Sequence, residues 1–196
     1  MTREATQLRK TKETDIQLTL ILDGKGDTLI KTGIGFFDHM LTLFAVHGLF
    51  DLSIQAKGDL EVDDHHTVED IGICLGLAFR EAIGNGAGIN RYASGIFPMD
   101  ESLCQIAVDI SNRPYLGFKI DFPFEKTGRF DMQLVKEFFQ AFVTNAKISL
   151  HIQVLTGENM HHIAESCFKA CGVVLDQATQ LDPRKNQLIP STKGVL

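Results

Sequence analysis

Two stretches of this chain repeat one another nearly a hundred residues apart, and that repetition limits the fold more than any other feature. Leu52-Ser-Ile-Gln55 returns as Leu150-His-Ile-Gln153, an offset of 98, and His65-His-Thr-Val-Glu69 returns as His161-His-Ile-Ala-Glu165, an offset of 96. Gly76 matches Gly172 and Ala82 matches Ala178 at the same 96, while upstream Phe44 matches Phe142 at 98. The two-residue difference falls in the Gly-containing loop ahead of each histidine pair, where a change of length costs little. Landmarks kept in order at a fixed period mark a repeated supersecondary unit. The chain therefore reads as two half-domains, residues 1–89 and 90–182, followed by a tail, 183–196.

Periodicity runs in the same order through both halves. Ile16, Leu18, Leu20 and Leu22 alternate with polar neighbours, Asp23-Gly24 turns the chain, and a second strand covers 28–32. Apolar residues at helical spacing (Phe37, Leu41, Phe44) predict a helix over about 36–46, then a strand at 51–56 and a long helix over 64–82. The second half offers strands at 102–110 and 115–122, a helix at 132–145, a strand at 148–155 and a helix at 160–179. With one more strand opening each half, at 6–11 and 91–97, the order is βββαβα twice. Hairpins and a non-alternating order predict an α+β fold with antiparallel or mixed sheets, not a doubly wound parallel sheet. The tail is polar and rich in turn formers, which predicts a mobile or partner-docked end.

Composition closes off several function classes. Nineteen Lys and Arg against 25 Asp and Glu give a net charge of −6, which argues against general nucleic-acid binding but leaves room for a local basic pocket. The longest apolar run, from Ile71 to Phe79, is interrupted by two glycines and spans no bilayer. The polar first residues carry no signal core, so a cytoplasmic protein without a membrane partner is expected. Cys74, Cys104, Cys167 and Cys171 form no C-x-x-C pair and are expected as small core residues, not disulfides.

The chemistry concentrates in the paired histidines. On a helix, His65 and Glu69 share one face, and His161 and Glu165 do the same. Adjacent histidines point about 100° apart, so one ion is poorly served by both, and each ring more naturally serves a different ion. Helix-capping alone would explain one such pair, but capping has no need of two adjacent imidazoles repeated at matched positions. Asp63 and Asp64 are expected as a cap or as partners of an imidazole N–H. His39 opens the earlier helix, and at an offset of 98 its counterpart is Glu137; both can ligate a divalent ion. His47 and His151 have no ligating counterpart and read as structural.

The runs Gly35-Phe-Phe-Asp-His-Met40, Asp64-His-His-Thr-Val-Glu-Asp70, Gly157-Glu-Asn-Met-His-His-Ile-Ala-Glu165, Ser111-Asn-Arg-Pro-Tyr115 and Pro190-Ser-Thr-Lys-Gly194 together resemble the imidazoleglycerol-phosphate dehydratases, over almost the whole chain. The resemblance implies four helices packed between two four-stranded sheets. It also implies loss of water from D-erythro-imidazoleglycerol phosphate to give imidazole acetol phosphate in histidine biosynthesis. Two Mn²⁺ ions per active site, and a homo-oligomer of 24 subunits with sites between subunits, are implied as well. Carried onto this sequence, the metal ligands are His39, His65, His66, Glu69, His161, His162 and Glu165, with Glu137 standing where many relatives have His. The implied phosphate-binding residues are Arg91, Arg113, Lys169, Ser191 and Lys193, and Glu13 is the implied proton-transfer residue.

Such a site suits this reaction because an ion that holds the imidazole ring as its anion lets ring electrons expel the neighbouring hydroxyl. Imidazole-rich sites by themselves indicate only a divalent transition metal, and manganese enters through the resemblance. Two rivals are weaker. A di-metal hydrolase gives no reason for the arginines and the Ser191/Lys193 tail. A metal-storage bundle of the ferritin type uses Glu-x-x-His, the reverse order, without sheets.

Overall fold

Alternating burial in the first twenty residues folds the chain into a hairpin. Strands β1 (Glu4–Lys10) and β2 (Thr14–Ile21) pair antiparallel, with Ile16, Leu18 and Leu20 turned inward. The computed structural model describes residues 3–123, 125–185 and 188–196. After the hairpin come β3 (Thr28–Lys31), helix α1 (Gly35–His47), β4 (Asp51–Gly58) and helix α2 (His65–Ile83). The sheet order is β1-β2-β4-β3, with β3 parallel to β4.

The second half repeats this order with one addition. Strands β5 (Tyr92–Met99), β6 (Ser102–Asp109) and β7 (Tyr115–Lys119) precede a small hairpin, β8 (Lys126–Thr127) and β9 (Phe130–Asp131). Helix α3 (Gln133–Ala146), β10 (Ser149–Thr156) and helix α4 (Met160–Thr179) complete it, and its sheet runs β5-β6-β10-β7. The opening hairpins superpose in register at an offset of 88: Lys10 faces Asp15 in one and Pro98 faces Leu103 in the other. The step from 88 to the later 98 is the β8–β9 hairpin, which the first half lacks. The repeated α+β architecture agrees with the expectation from the sequence; the extra hairpin was not foreseen. Two-residue strands are too short to show alternation.

The four helices lie between the two sheets. Helix α2 packs on β1 and β2 and crosses α3, while α4 packs on β5 and β6 and crosses α1. Each helix pair therefore joins one half to the other, and the halves share one core. Phe37, Phe44, Phe79, Phe138, Phe139, Phe142 and Phe168 fill it, all essentially inaccessible to water. Two repeated glycines set the crossings. A Cβ on Gly76 would collide with the Phe142 carbonyl of α3, and a Cβ on Gly172 with the Phe44 carbonyl of α1. The sequence matches Gly76/Gly172 and Phe44/Phe142 are thus the two contact points of pseudo-equivalent helix pairs.

All four cysteines are free and buried, as expected. No helix of the described residues is long and apolar enough to cross a membrane. The tail folds back on its own chain: Gly88 N donates to the Leu188 carbonyl at 2.9 Å, and Asn112 Nδ2 donates to the Leu196 carbonyl at 3.2 Å. Its polar composition gave no sign of these backbone partners.

Candidate active site

Helix α1 starts at Gly35 and helix α4 at Met160, and their crossing brings the first turn of one beside the first turn of the other. There His39, His161 and Glu165 converge, one ligand atom from each lying within 4.8 Å of the others. Glu165 Oε1 accepts from His39 Nε2 at 2.7 Å and from His161 Nε2 at 3.1 Å, while its Oε2 accepts from Lys169 Nζ at 2.6 Å. Glu165 is buried. Burial pushes its carboxyl pKa up, but the Lys169 ammonium and the two rings outweigh this and hold it at about 2. Two imidazole nitrogens and a permanently ionised carboxylate at this spacing form a donor set that fits a divalent first-row cation, with coordination positions left open.

The second histidine of each pair diverges from the first, as helix geometry requires. The rings of His65 and His66 stand 6.2 Å apart at 84°, and those of His161 and His162 stand 6.4 Å apart at 83°. Both second histidines are held by a carboxylate at Nδ1: His66 by Asp59 at 3.0 Å and His162 by Glu101 at 2.7 Å. These hydrogen bonds raise both imidazole pKa values. Glu101 is lowered to about 2 by the same bond and by backbone N–H groups. Of the two roles expected for Asp63 and Asp64, Asp63 takes the capping one and accepts from the His65 backbone N at 2.8 Å, while Asp64, the helix N-cap, makes no side-chain cap bond. Asp59, at the end of β4, occupies the place in front of the ring.

Glu13 lies in the β1–β2 turn, 3.9 Å from His66 Nδ1. At the hairpin offset of 88 its counterpart is Glu101 in the β5–β6 turn, so each hairpin aims a glutamate at the second histidine of its own half. Sequence reasoning missed Asp59 and Glu101. Aligning the two hairpins separately from the helices would have found Glu101.

His65, Glu69 and Glu137 occupy the positions related by the repeat to the converged trio, yet among the described residues they form no comparable cluster. Glu69 is exposed and Glu137 half-buried. His65 instead lines a cavity of about 840 Å³ with Asp63, Asp64, Lys126 and Arg129, part of it walled by the β8–β9 hairpin.

Of the residues implied for phosphate binding, Arg91, Arg113, Ser191 and Lys193 line one cavity of about 800 Å³ beneath the folded-back tail. Arg91 is heavily engaged. Its Nε donates to Asp109 at 2.7 Å, its Nη1 to the Pro190 carbonyl at 2.7 Å, and its guanidinium lies 4.6 Å over the Tyr92 ring. Arg113 is two-thirds exposed and only 4.0 Å from Asp109. Lys169 does not line this cavity, because Glu165 holds it at the histidine trio.

The family model described as imidazoleglycerol-phosphate dehydratase matches residues 32–175. Relatives of that name are 57% identical, one from Rhodopseudomonas palustris (strain BisB5) over 99% of this chain and 98% of its own. Another, from Pelobacter propionicus, matches over the full length of both chains, also at 57%. The chain belongs to the imidazoleglycerol-phosphate dehydratase family. Two solved members share its fold. The Staphylococcus aureus imidazoleglycerol-phosphate dehydratase is 40% identical, with a TM-score of 0.83 over 91% of this chain and 99% of its own. The Pyrococcus furiosus enzyme, solved in complex with (S)-C348, is 39% identical, with a TM-score of 0.84 over 97% and 100%.

Proposed function

We propose that the chain is a hydro-lyase of histidine biosynthesis that converts D-erythro-imidazoleglycerol phosphate to imidazole acetol phosphate. The observation that carries this reading is the convergence of His39, His161 and Glu165 from opposite halves of the chain, within a family whose members bear the name of that reaction.

A divalent ion held there, Mn²⁺ in this reading, supplies Lewis-acid polarisation of the substrate's imidazole ring. The chain's own residues do the rest. Arg113, Lys193 and Ser191 grip the phosphate with charge-assisted bonds, and Arg91 ties the tail over it through the Pro190 carbonyl. Glu13, more than half exposed beside His66, takes the proton from the second carbon out from the ring as the hydroxyl leaves the ring-attached carbon, and can return a proton to that ring-attached carbon as the resulting enol becomes the ketone. Lys169 keeps Glu165 ionised and aimed at the two rings.

His66 and His162 are turned away from their neighbours, which leaves them available to a second ion or a second copy of the chain. We assign two Mn²⁺ per active site, with His65, His66, Glu69, Glu137 and His162 completing the ligand set between subunits of a homo-oligomer, 24 in number. Glu69 and Glu137 do not meet His65 in a single chain, which accords with sites completed by neighbours.

The test is a dehydratase assay on chelator-stripped protein with Mn²⁺, Zn²⁺ or Mg²⁺ restored. Turnover that returns with Mn²⁺ supports the reading; ester or amide hydrolysis with no turnover of the imidazole substrate replaces it with a hydrolase.

A further inference from the structure

Glu101 makes more of its carboxylate than a helix cap requires. Its Oε1 accepts from the backbone N of Glu158 at 3.2 Å and of Asn159 at 2.8 Å, which pins the loop leading into α4. Its Oε2 accepts from His162 Nδ1 at 2.7 Å. Both oxygens therefore act as acceptors, and the ring must carry its proton on Nδ1. The other nitrogen, Nε2, is left with a free lone pair; the nearest acidic group, Asp100 Oδ2, stands 3.9 Å from it, outside hydrogen-bonding range.

We infer that Glu101 is a positioning residue: it locks His162 in the tautomer whose Nε2 can bind a metal, and it couples that choice to the seating of α4. The inference rests on the reading of His162 as a ligand. It belongs with the general pattern in which a carboxylate behind a histidine fixes tautomer and orientation for a metal in front.

The geometry separates this role from simple capping. Glutamine has the shape of glutamate but only one acceptor oxygen. In Glu101→Gln, the amide oxygen stays with the two backbone N–H groups, which preserves the cap and leaves the NH₂ facing His162 Nδ1. That nitrogen must then accept, and the ring proton moves to Nε2, the ligating position. Asp59 behaves differently. Both of its oxygens lie near His66 Nδ1, at 3.0 and 3.2 Å, and among the described residues its carboxylate accepts from nothing else. In Asp59→Asn the amide can rotate its oxygen to the ring, and the tautomer is kept.

The experiment has two readouts. The first is ¹⁵N solid-state NMR of sedimented metal-free protein, at a pH where the ring is neutral, with the His162 signals assigned by their loss in His162→Asn. Nδ1–H is expected in the unmodified protein and Nε2–H in Glu101→Gln; the same tautomer in both overturns the inference. The second is Mn²⁺ titration followed by electron paramagnetic resonance. Glu101→Gln should weaken one class of site by about 10- to 100-fold, with Asp59→Asn within about 3-fold of the unmodified protein and thermal stability of both nearly unchanged. Equal Mn²⁺ affinity in Glu101→Gln and the unmodified protein also overturns it. Failure of the unmodified protein to bind Mn²⁺ sinks the metal reading alone, and the NMR result still decides what Glu101 does to the ring.

Discussion

His39 and Glu165 lie 126 residues apart in the chain, yet their side chains meet at 2.7 Å. One opens α1 in the first half; the other sits one turn into α4 in the second. Their meeting depends on the helix crossing at Gly172, so the same contact that joins the halves assembles the candidate centre.

If that centre holds Mn²⁺, the ion stabilises the folded chain by mass action, by about 2.7 kcal/mol at a hundred times its dissociation constant. Partners behind a ligand already affect affinity by about 10- to 100-fold, so loss of the ligand itself costs at least ~100-fold. Glu165→Gln should therefore diminish the rise in melting temperature on Mn²⁺ addition. A thermal-denaturation series at increasing Mn²⁺ checks this, and an undiminished shift in the variant removes Glu165 from the ligand set.

The basic pocket divides its labour between two arginines. Arg113 is free to bind a phosphate, and Arg113→Ala should raise KM by roughly 10- to 100-fold, the equivalent of one charge-assisted hydrogen bond, with kcat largely kept. Arg91 is committed to Asp109 and Pro190, so Arg91→Lys should loosen the tail. Steady-state kinetics and limited proteolysis of the tail separate the two. Faster cleavage is expected in the Arg91 variant and not in the Arg113 variant.

Much of this was readable from the residues. Alternation placed the strands, helical spacing placed the helices, and the doubled His-His-x-x-Glu runs marked α2 and α4. What escaped has physical causes. Asp59 and Glu101 act from turns, where a polar side chain is unremarkable until the fold shows what it faces. The β8–β9 hairpin is too short for a period. The tail is fixed by backbone carbonyls at Pro190 and Leu196, and any residue type supplies those. Lys169, implied as a phosphate ligand, sits one turn beyond Glu165 on the same helix and pairs with that carboxylate within the chain.

The buried thiols make stability fall in alkali. Burial raises Cys74 to about 11 and raises Cys171 as well, and a hydrogen bond with Cys104 together with burial raises Cys167. A thiol whose pKa is higher folded than unfolded contributes stability that is intact below the unfolded value near 9 and is lost as pH rises toward the folded one. From Cys74 alone the loss between pH 9 and 11 is roughly 2–3 kcal/mol. Urea denaturation across that range should show the decline, and Cys74→Ala should flatten part of it. Thiol reagents at neutral pH should find no reactive cysteine until the chain unfolds.

The repeat makes a paired prediction about the core. Gly76 and Gly172 hold matching positions in the repeat, and each lets its helix lie against a carbonyl on the crossing helix, Phe142 or Phe44. Alanine favours a helix by about 1 kcal/mol over glycine, so on propensity alone either substitution would stabilise. Here the added methyl meets backbone, which cannot swing aside as a side chain can, and the helices must separate at a cost of about 1–3 kcal/mol or more. Gly76→Ala and Gly172→Ala should both lower the urea midpoint. Only Gly172→Ala should also weaken Mn²⁺ binding at the trio of His39, His161 and Glu165, because only the α1–α4 crossing brings those three together. Equal metal affinity in the two variants would mean that the trio does not depend on how closely α1 and α4 approach.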